Sequence, residues 1–177
     1  MKKTVIKTLG PEGSSSYRAA TSYIALNCVE NTSLIILYET FTKALKALKY
    51  NELFLVPSAY NGIHNFFFDQ HLYLKEYFID RSSVYFMCSG SINPNKNILY
   101  IHPATRALVD DFLKEKDLHL EIIEVKSSSL AAIKCIEDNC YSISNQSAVE
   151  YYNLIKINDG YNFSMSWNIF TKLKKED

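Results

Sequence analysis

The chain has 177 residues, 19 basic against 19 acidic side chains, 47% hydrophobic residues and 14% aromatics. That length buries enough surface for one domain, or for two small lobes sharing a ligand site, and a neutral balance lacks the basic footprint of a nucleic-acid binder. No apolar run is long enough to span a bilayer, and Lys7 interrupts Thr4-Val5-Ile6 before a signal-peptide core can form, so a cytoplasmic protein without nucleic-acid or membrane partners is expected.

In chain order, the β-branched segment Thr4 to Leu9 reads as a strand broken by Gly10-Pro11-Glu12-Gly13. Ser14, Ser15 and Ser16 then open a helix with Tyr17, Ala19, Ala20, Tyr23 and Ile24 at helical spacing. Leu34 to Tyr38 is a second strand. Thr40 caps a helix whose Phe41, Ala44, Leu45 and Leu48 sit at i, i+3, i+4 and i+7. Leu53 to Val56 is a third strand, ending at Pro57 and followed by the turn-rich Ser58-Ala59-Tyr60-Asn61-Gly62 and an aromatic stretch, Phe66 to Phe68. Tyr77 to Ser89 reads as extended structure with a bend at Arg81-Ser82-Ser83.

Ile98 to Ile101 is again a strand, with a helix expected from about Ala104 to Lys114. Leu120 to Val125 is a strand, and Ser127-Ser128-Ser129 opens a helix carrying Leu130, Ile133 and Ile136. Tyr141 to Ser144 is a strand, Asn145 caps a helix through Tyr152, and Ser164 to Leu173 is a last long strand; Lys172, Lys174 and Lys175 read as a solvated tail. Strands alternating with helices predict α/β architecture. The pattern is written twice, before and after the extended stretch, which predicts two lobes.

Three strand-to-helix junctions carry unusual polarity: Gly10 to Ser16, Ser127 to Ser129, and Asn145-Gln146-Ser147. Unpaired N–H groups at helix starts receive carboxylates or phosphates, and hydroxyls add donors. The alternative reading is that these serines only cap helices. The chain lacks a G-x-x-x-x-G-K-[ST] loop, a G-x-G-x-x-G fingerprint and a G-x-S-x-G elbow, which argues against a nucleotide cofactor and against a serine hydrolase. The cysteines (28, 88, 135, 140) form no C-x-x-C pair and read as reduced, mostly buried thiols. The histidines (64, 71, 102, 119) have no metal-ligand spacing, so no metal is expected.

Leu9-Gly10-Pro11-Glu12-Gly13-Ser14-Ser15-Ser16, with Ala19-Ala20 beyond, resembles the L-G-P-x-G-[TS]-[FS]-S-x-x-A-A opening of prephenate dehydratase domains. Val56-Pro57, His102-Pro103 and Ser127 to Ala132 resemble later landmarks in the same order. Two motifs differ. Ser58 to Gly62 stands in place of I-E-N-S, and Met165-Ser166-Trp167 in place of T-R-F. Both are similar to the non-aromatising prephenate decarboxylases of bacilysin-type pathways, which carry V-P-x-A-Y-D-G and M-S-W. Glu39-Thr40-Phe41 likewise resembles their D-T-F, while Ser58 and Asn61 stand where those enzymes have His and Asp.

The resemblance implies a two-lobed, periplasmic-binding-protein-like (type II) domain with a ligand cleft between lobes, one lobe of about 1–78 plus 160–177 and the other of about 79–159, without an ACT domain. It implies a homodimeric, cofactor-free lyase acting on prephenate in antibiotic-type specialised metabolism. Catalytic positions would be Met165, Ser166 and Tyr60. Substrate would be held by Ser14, Ser15, Ser16, Asn61, His102, Ser127, Ser128, Ser129, Asn145 and Trp167. Methionine in place of the threonine that helps ring hydroxide depart predicts loss of CO2 with the hydroxyl retained. Three alternatives stay open: phenylpyruvate formation, a small-anion-binding paralogue without turnover, and a Met165–Trp167 segment that merely packs in the core.

Overall fold

The computed structural model describes residues 3–27, 32–116 and 118–172. Cys28, Lys174, Lys175 and the side chain of Arg81 lie outside that description. The elements run β1 (Thr4–Leu9), α1 (Ser15–Leu26), β2 (Ser33–Tyr38), α2 (Phe41–Ala47), β3 (Leu53–Pro57), α3 (His64–Phe67) and β4 (Leu72–Ser89). There follow β5 (Ile98–Ile101), α4 (Val109–Lys116), β6 (Glu121–Glu124), α5 (Ser128–Glu137), β7 (Tyr141–Asn145), α6 (Gln146–Tyr151), β8 (Ile155–Lys156) and β9 (Tyr161–Lys172).

The chain divides into two compact units, Met1–Ser82 with Ser164–Asp177, and Ser83–Phe163. In the first, β1 pairs in parallel with β2 and β3, and β3 pairs antiparallel with β9. In the second, β5 pairs in parallel with β6 and β7, and β7 pairs antiparallel with β4, which also carries the short β8. The connectivity is therefore the same twice: strand, helix, strand, helix, strand, with an antiparallel strand beside the third. This is the α/β architecture predicted from the alternating pattern.

Side-chain caps start the helices. Ser14, Thr40, Ser127 and Asn145 are extended residues whose side chains accept the N–H groups of Tyr17, Lys43, Leu130 and Ala148. The sheet of the first unit is buried on both faces. Ile6, Leu53, Leu55, Trp167 and Ile169 pack against Ala19, Ala20, Tyr23 and Ile24 of α1. Phe54, Val56 and Phe170 pack with Phe41, Ala44 and Leu48 on the other face, together with Phe66 and Leu72. Two-sided burial explains why Leu53–Val56 is an unbroken apolar run. In the second unit, Met87, Leu99, Ile101 and Ile143 pack with Val109 and Phe112 of α4, and Phe86 and Cys88 pack with α5 and α6.

The structure departs from expectation in four places. The helix expected from Ala104 begins as a 3-10 turn, Pro103–Leu108, and becomes α-helical only at Val109. His102 caps that turn and Pro103 supplies its first residue, favouring the tighter winding. No bend forms at Arg81-Ser82-Ser83: β4 runs unbroken from Leu72 to Ser89, since no glycine or proline interrupts it. The segment His64–Phe67, which includes the first two residues of the aromatic stretch, coils into α3, and β8 was not expected.

Candidate functional site

The carboxyl edge of the first unit's sheet gathers most of the singled-out residues. β1 and β3 are parallel, so Gly10–Ser16 and Ser58–Asn61 leave the sheet on the same side. Pro57 pairs with Trp167 across the antiparallel β3–β9 ladder, which brings Ser166 and Met165 to that side as well. Loops at the carboxyl ends of strands are where open α/β sheets present ligand-binding groups.

Within the first loop, Gly13 has φ 78°, a left-handed conformation that favours glycine and turns the backbone into the helix start. Ser14 is buried; its hydroxyl accepts the Tyr17 N–H at 3.2 Å and donates to the Leu9 carbonyl at 3.3 Å. Its cap and its tie to β1 thus use its hydrogen. Ser16 is buried and Ser15 half-buried.

In the loop after β3, the Tyr60 N–H donates to the Pro57 carbonyl at 3.0 Å. The Tyr60 ring stands edge-on to Phe41 with centroids 4.7 Å apart, and stacks on Phe66 at 5.8 Å. A Cβ at Gly62 would meet that ring at 2.7 Å, so the glycine makes room for it. Asn61 is exposed. The Ser58 N–H donates to the Ser166 carbonyl at 2.9 Å, and the Asn168 carboxamide donates to Ser58 Oγ at 2.8 Å.

The alternation of β9 separates its residues. Met165 packs, half-buried, against the α1-side cluster that contains Trp167. Phe170 belongs to the opposite cluster, so Ser166 and Asn168, which share its parity, face that way. Trp167 is 1% exposed and its indole N–H is unpaired among the described residues. Arg18, four residues into α1, forms a 2.5 Å ion pair with buried Asp80 of β4.

In the second unit, His102, Ser127–Ser129 and Asn145 stand at the carboxyl ends of β5, β6 and β7, whose parallel pairing places them along one edge. The Ala104 N–H donates to His102 Nδ1 at 3.2 Å, which leaves the ring proton on Nε2. Burial holds the imidazole below its ordinary value, against the opposing pull of Glu124. Ser127 accepts the Leu130 N–H at 3.0 Å and Asn145 accepts the Ala148 N–H at 2.9 Å, so both act as caps. Ser129 differs. It is 1% exposed, and its hydroxyl has no partner among the described residues. Burying a hydroxyl without a partner costs free energy, which sets this one apart from the capping residues beside it.

No group of side chains fit for a metal ion occurs among the described residues. Cys88, Cys135 and Cys140 are buried free thiols, and burial pushes Cys135 up to about 12. Sequence reasoning missed two features, the Ser58–Asn168 pair and the Arg18–Asp80 pair. Asn168 leaves a local trace, as a polar residue in the buried run Trp167–Phe170. Arg18 leaves none.

No family profile matches the chain. The chain is 28% identical to the prephenate decarboxylase of Bacillus subtilis (strain 168) over 191 residues, covering 99% of this chain and 90% of that protein. The prephenate dehydratase of Staphylococcus aureus subsp. aureus Mu50 superposes with TM-score 0.71 at 15% identity, covering 100% of this chain and 68% of that one. The prephenate dehydratase of Arthrobacter aurescens, solved in complex with L-Phe, gives TM-score 0.70 at 12% identity, covering 97% of this chain and 61% of that one. The fold is that of these dehydratases.

Proposed function

We propose that this chain, a member of the prephenate dehydratase-like superfamily, decarboxylates prephenate without aromatising it. Met165 carries the reading. It sits on β9 at the carboxyl edge of the first unit's sheet, and the motif resemblance aligns it with the hydroxyl donor of the dehydratases. The likeness over nearly the whole chain to proteins named prephenate decarboxylase supports the same conclusion.

The chemistry balances without a cofactor. The bond between the ring carbon and its carboxylate breaks, CO2 leaves, and the electron pair enters the ring diene. A dehydratase completes the reaction by expelling the ring hydroxide, assisted by a proton donor; general-acid help of that kind contributes on the order of 100-fold or more. Met165 has no proton to give, so the pair is quenched by a proton at ring carbon instead. The hydroxyl stays, and the product is a dihydro-4-hydroxyphenylpyruvate.

In this reading the backbone N–H groups and hydroxyls of Ser15, Ser16 and Ser127–Ser129 receive carboxylates, Ser129 with the hydroxyl that the fold leaves unpaired, while Ser14, whose N–H and hydroxyl both donate to backbone carbonyls, positions the first helix start. His102 and Asn145 border the second unit's helix starts, and neutral His102 adds an Nε2–H donor. Tyr60, braced by Phe41 and Phe66, offers a ring wall, and Asn61 and Ser166 stand at the same edge of the sheet. Trp167 acts from the core by fixing Met165. We place the enzyme in antibiotic-type specialised metabolism, as a cytoplasmic homodimer, on the strength of the motif resemblance.

Incubation with prephenate tests this directly. The expected outcome is CO2 release with a new conjugated-diene absorbance and no phenylpyruvate. Phenylpyruvate as the main product would instead assign a dehydratase. Tight binding without turnover would assign a small-anion-binding protein.

A further inference from the structure

We propose that Ser58, aimed by buried Asn168, is a specificity-determining donor to a substrate carboxylate. The inference rests on the prephenate reading above and adds to it a pair of residues separated by 110 positions.

Proton bookkeeping at Ser58 sets the direction of the hydroxyl. The Asn168 nitrogen that meets Ser58 Oγ at 2.8 Å can only donate, so Oγ accepts and its own hydrogen is left over. No acceptor takes that hydrogen among the described residues. The next amide, Ala59 N–H, is also without a partner among them. Ser58 and Ala59 are both exposed, at the carboxyl end of β3. An anionic oxygen is the acceptor this arrangement fits.

Preorganisation is the second part of the case. The Ser58 backbone is tied to β9 through the Ser166 carbonyl and its side chain through Asn168, so the donor is ordered before any ligand arrives. Asn168 itself is 6% exposed, between fully buried Trp167 and Ile169. A buried carboxamide gives up apolar burial that an aliphatic residue of similar volume would supply, and its hydrogen bond goes to Ser58. A functional task for the Ser58 hydroxyl accounts for keeping it.

The test measures prephenate turnover and, by calorimetry, prephenate affinity, with thermal midpoints recorded alongside. Ser58→Ala is expected to raise Kd and KM about 10- to 100-fold while kcat changes little, since a hydrogen bond to a charged group is lost. Ser58→Thr keeps the hydroxyl and restores most of the affinity. Asn168→Leu, close in volume, weakens binding when Ser58 is present and adds no further loss when Ser58 is alanine. If Asn168→Leu does not fold, the contrast between Ser58→Ala and Ser58→Thr decides alone. Wild-type affinity in Ser58→Ala, or equal losses from Asn168→Leu in both backgrounds, overturns this proposal and leaves only a strand-to-strand link. A wild-type chain that neither binds nor converts prephenate overturns the functional reading along with it.

Discussion

Under the proposed function, Met165 is the side chain that separates two products, because a thioether cannot supply the proton that would carry hydroxide away. Met165→Thr returns a hydroxyl at that position of β9. The expected outcome is a minor yield of phenylpyruvate from prephenate, detected by its enol absorbance in base, against none from the parent chain. A Met165→Leu variant should form none. How far such residues could be read from sequence depended on their interactions. Ser14, Thr40, Ser127 and Asn145 were legible as helix starts because a cap bonds to an N–H three residues on. The same bonds realise the plainer expectation for Ser14, Ser127 and Asn145, that they cap helices. The unpaired Ser129 hydroxyl was not legible, since it depends on what β7 and α5 leave out. Arg18 and Asp80, 62 positions apart, were invisible for the same reason.

The elements were legible where burial follows a period. β1 and β5 have the expected bounds, Thr4–Leu9 and Ile98–Ile101, and α2 starts at Phe41 after its cap. What sequence could not supply was the support beneath them. Lys7 is buried in β1, yet its ammonium lies 2.6 Å from Glu52, just before β3, and donates to the Ala47 carbonyl at the end of α2. One cation thus joins two strands and satisfies a helix C-terminus. Burial pushes the Glu52 carboxyl up, but hydrogen bonds from Lys7 and the Lys49 N–H, with the charges of both lysines, hold it below its ordinary value of 4.5. The folded state then binds that proton less tightly than the unfolded state. Its stabilisation is fully present above the ordinary value and lost as pH falls through the lower, folded value. Urea midpoints measured from pH 7 down to about 3 should decline through this window in the parent chain. Lys7→Ala, which leaves Glu52 with the Lys49 N–H but without its buried cation, should lose about 3 kcal/mol at pH 7, with less of the acid decline remaining.

For the whole molecule, the twofold pattern in the sequence corresponds to two units with the same strand connectivity. Their sequence treatment is unequal. The second unit is one continuous segment, Ser83–Phe163, whereas the first is completed only by Ser164–Asp177. β9 supplies Trp167, Ile169 and Phe170 to both faces of the first unit's core. During synthesis the first unit is therefore made without its fourth strand, and Leu55 and Phe54 wait with an unpaired ladder beside them until everything through Phe163 has been translated. The second unit faces no such delay. A chain stopped after Phe163 should keep protected amides in β5–β7 by hydrogen exchange while the β3 amides that bond to β9 exchange freely, and a separately supplied peptide of residues 161–177 should restore their protection. The order in which this protein becomes stable is then the reverse of the order in which its two units begin.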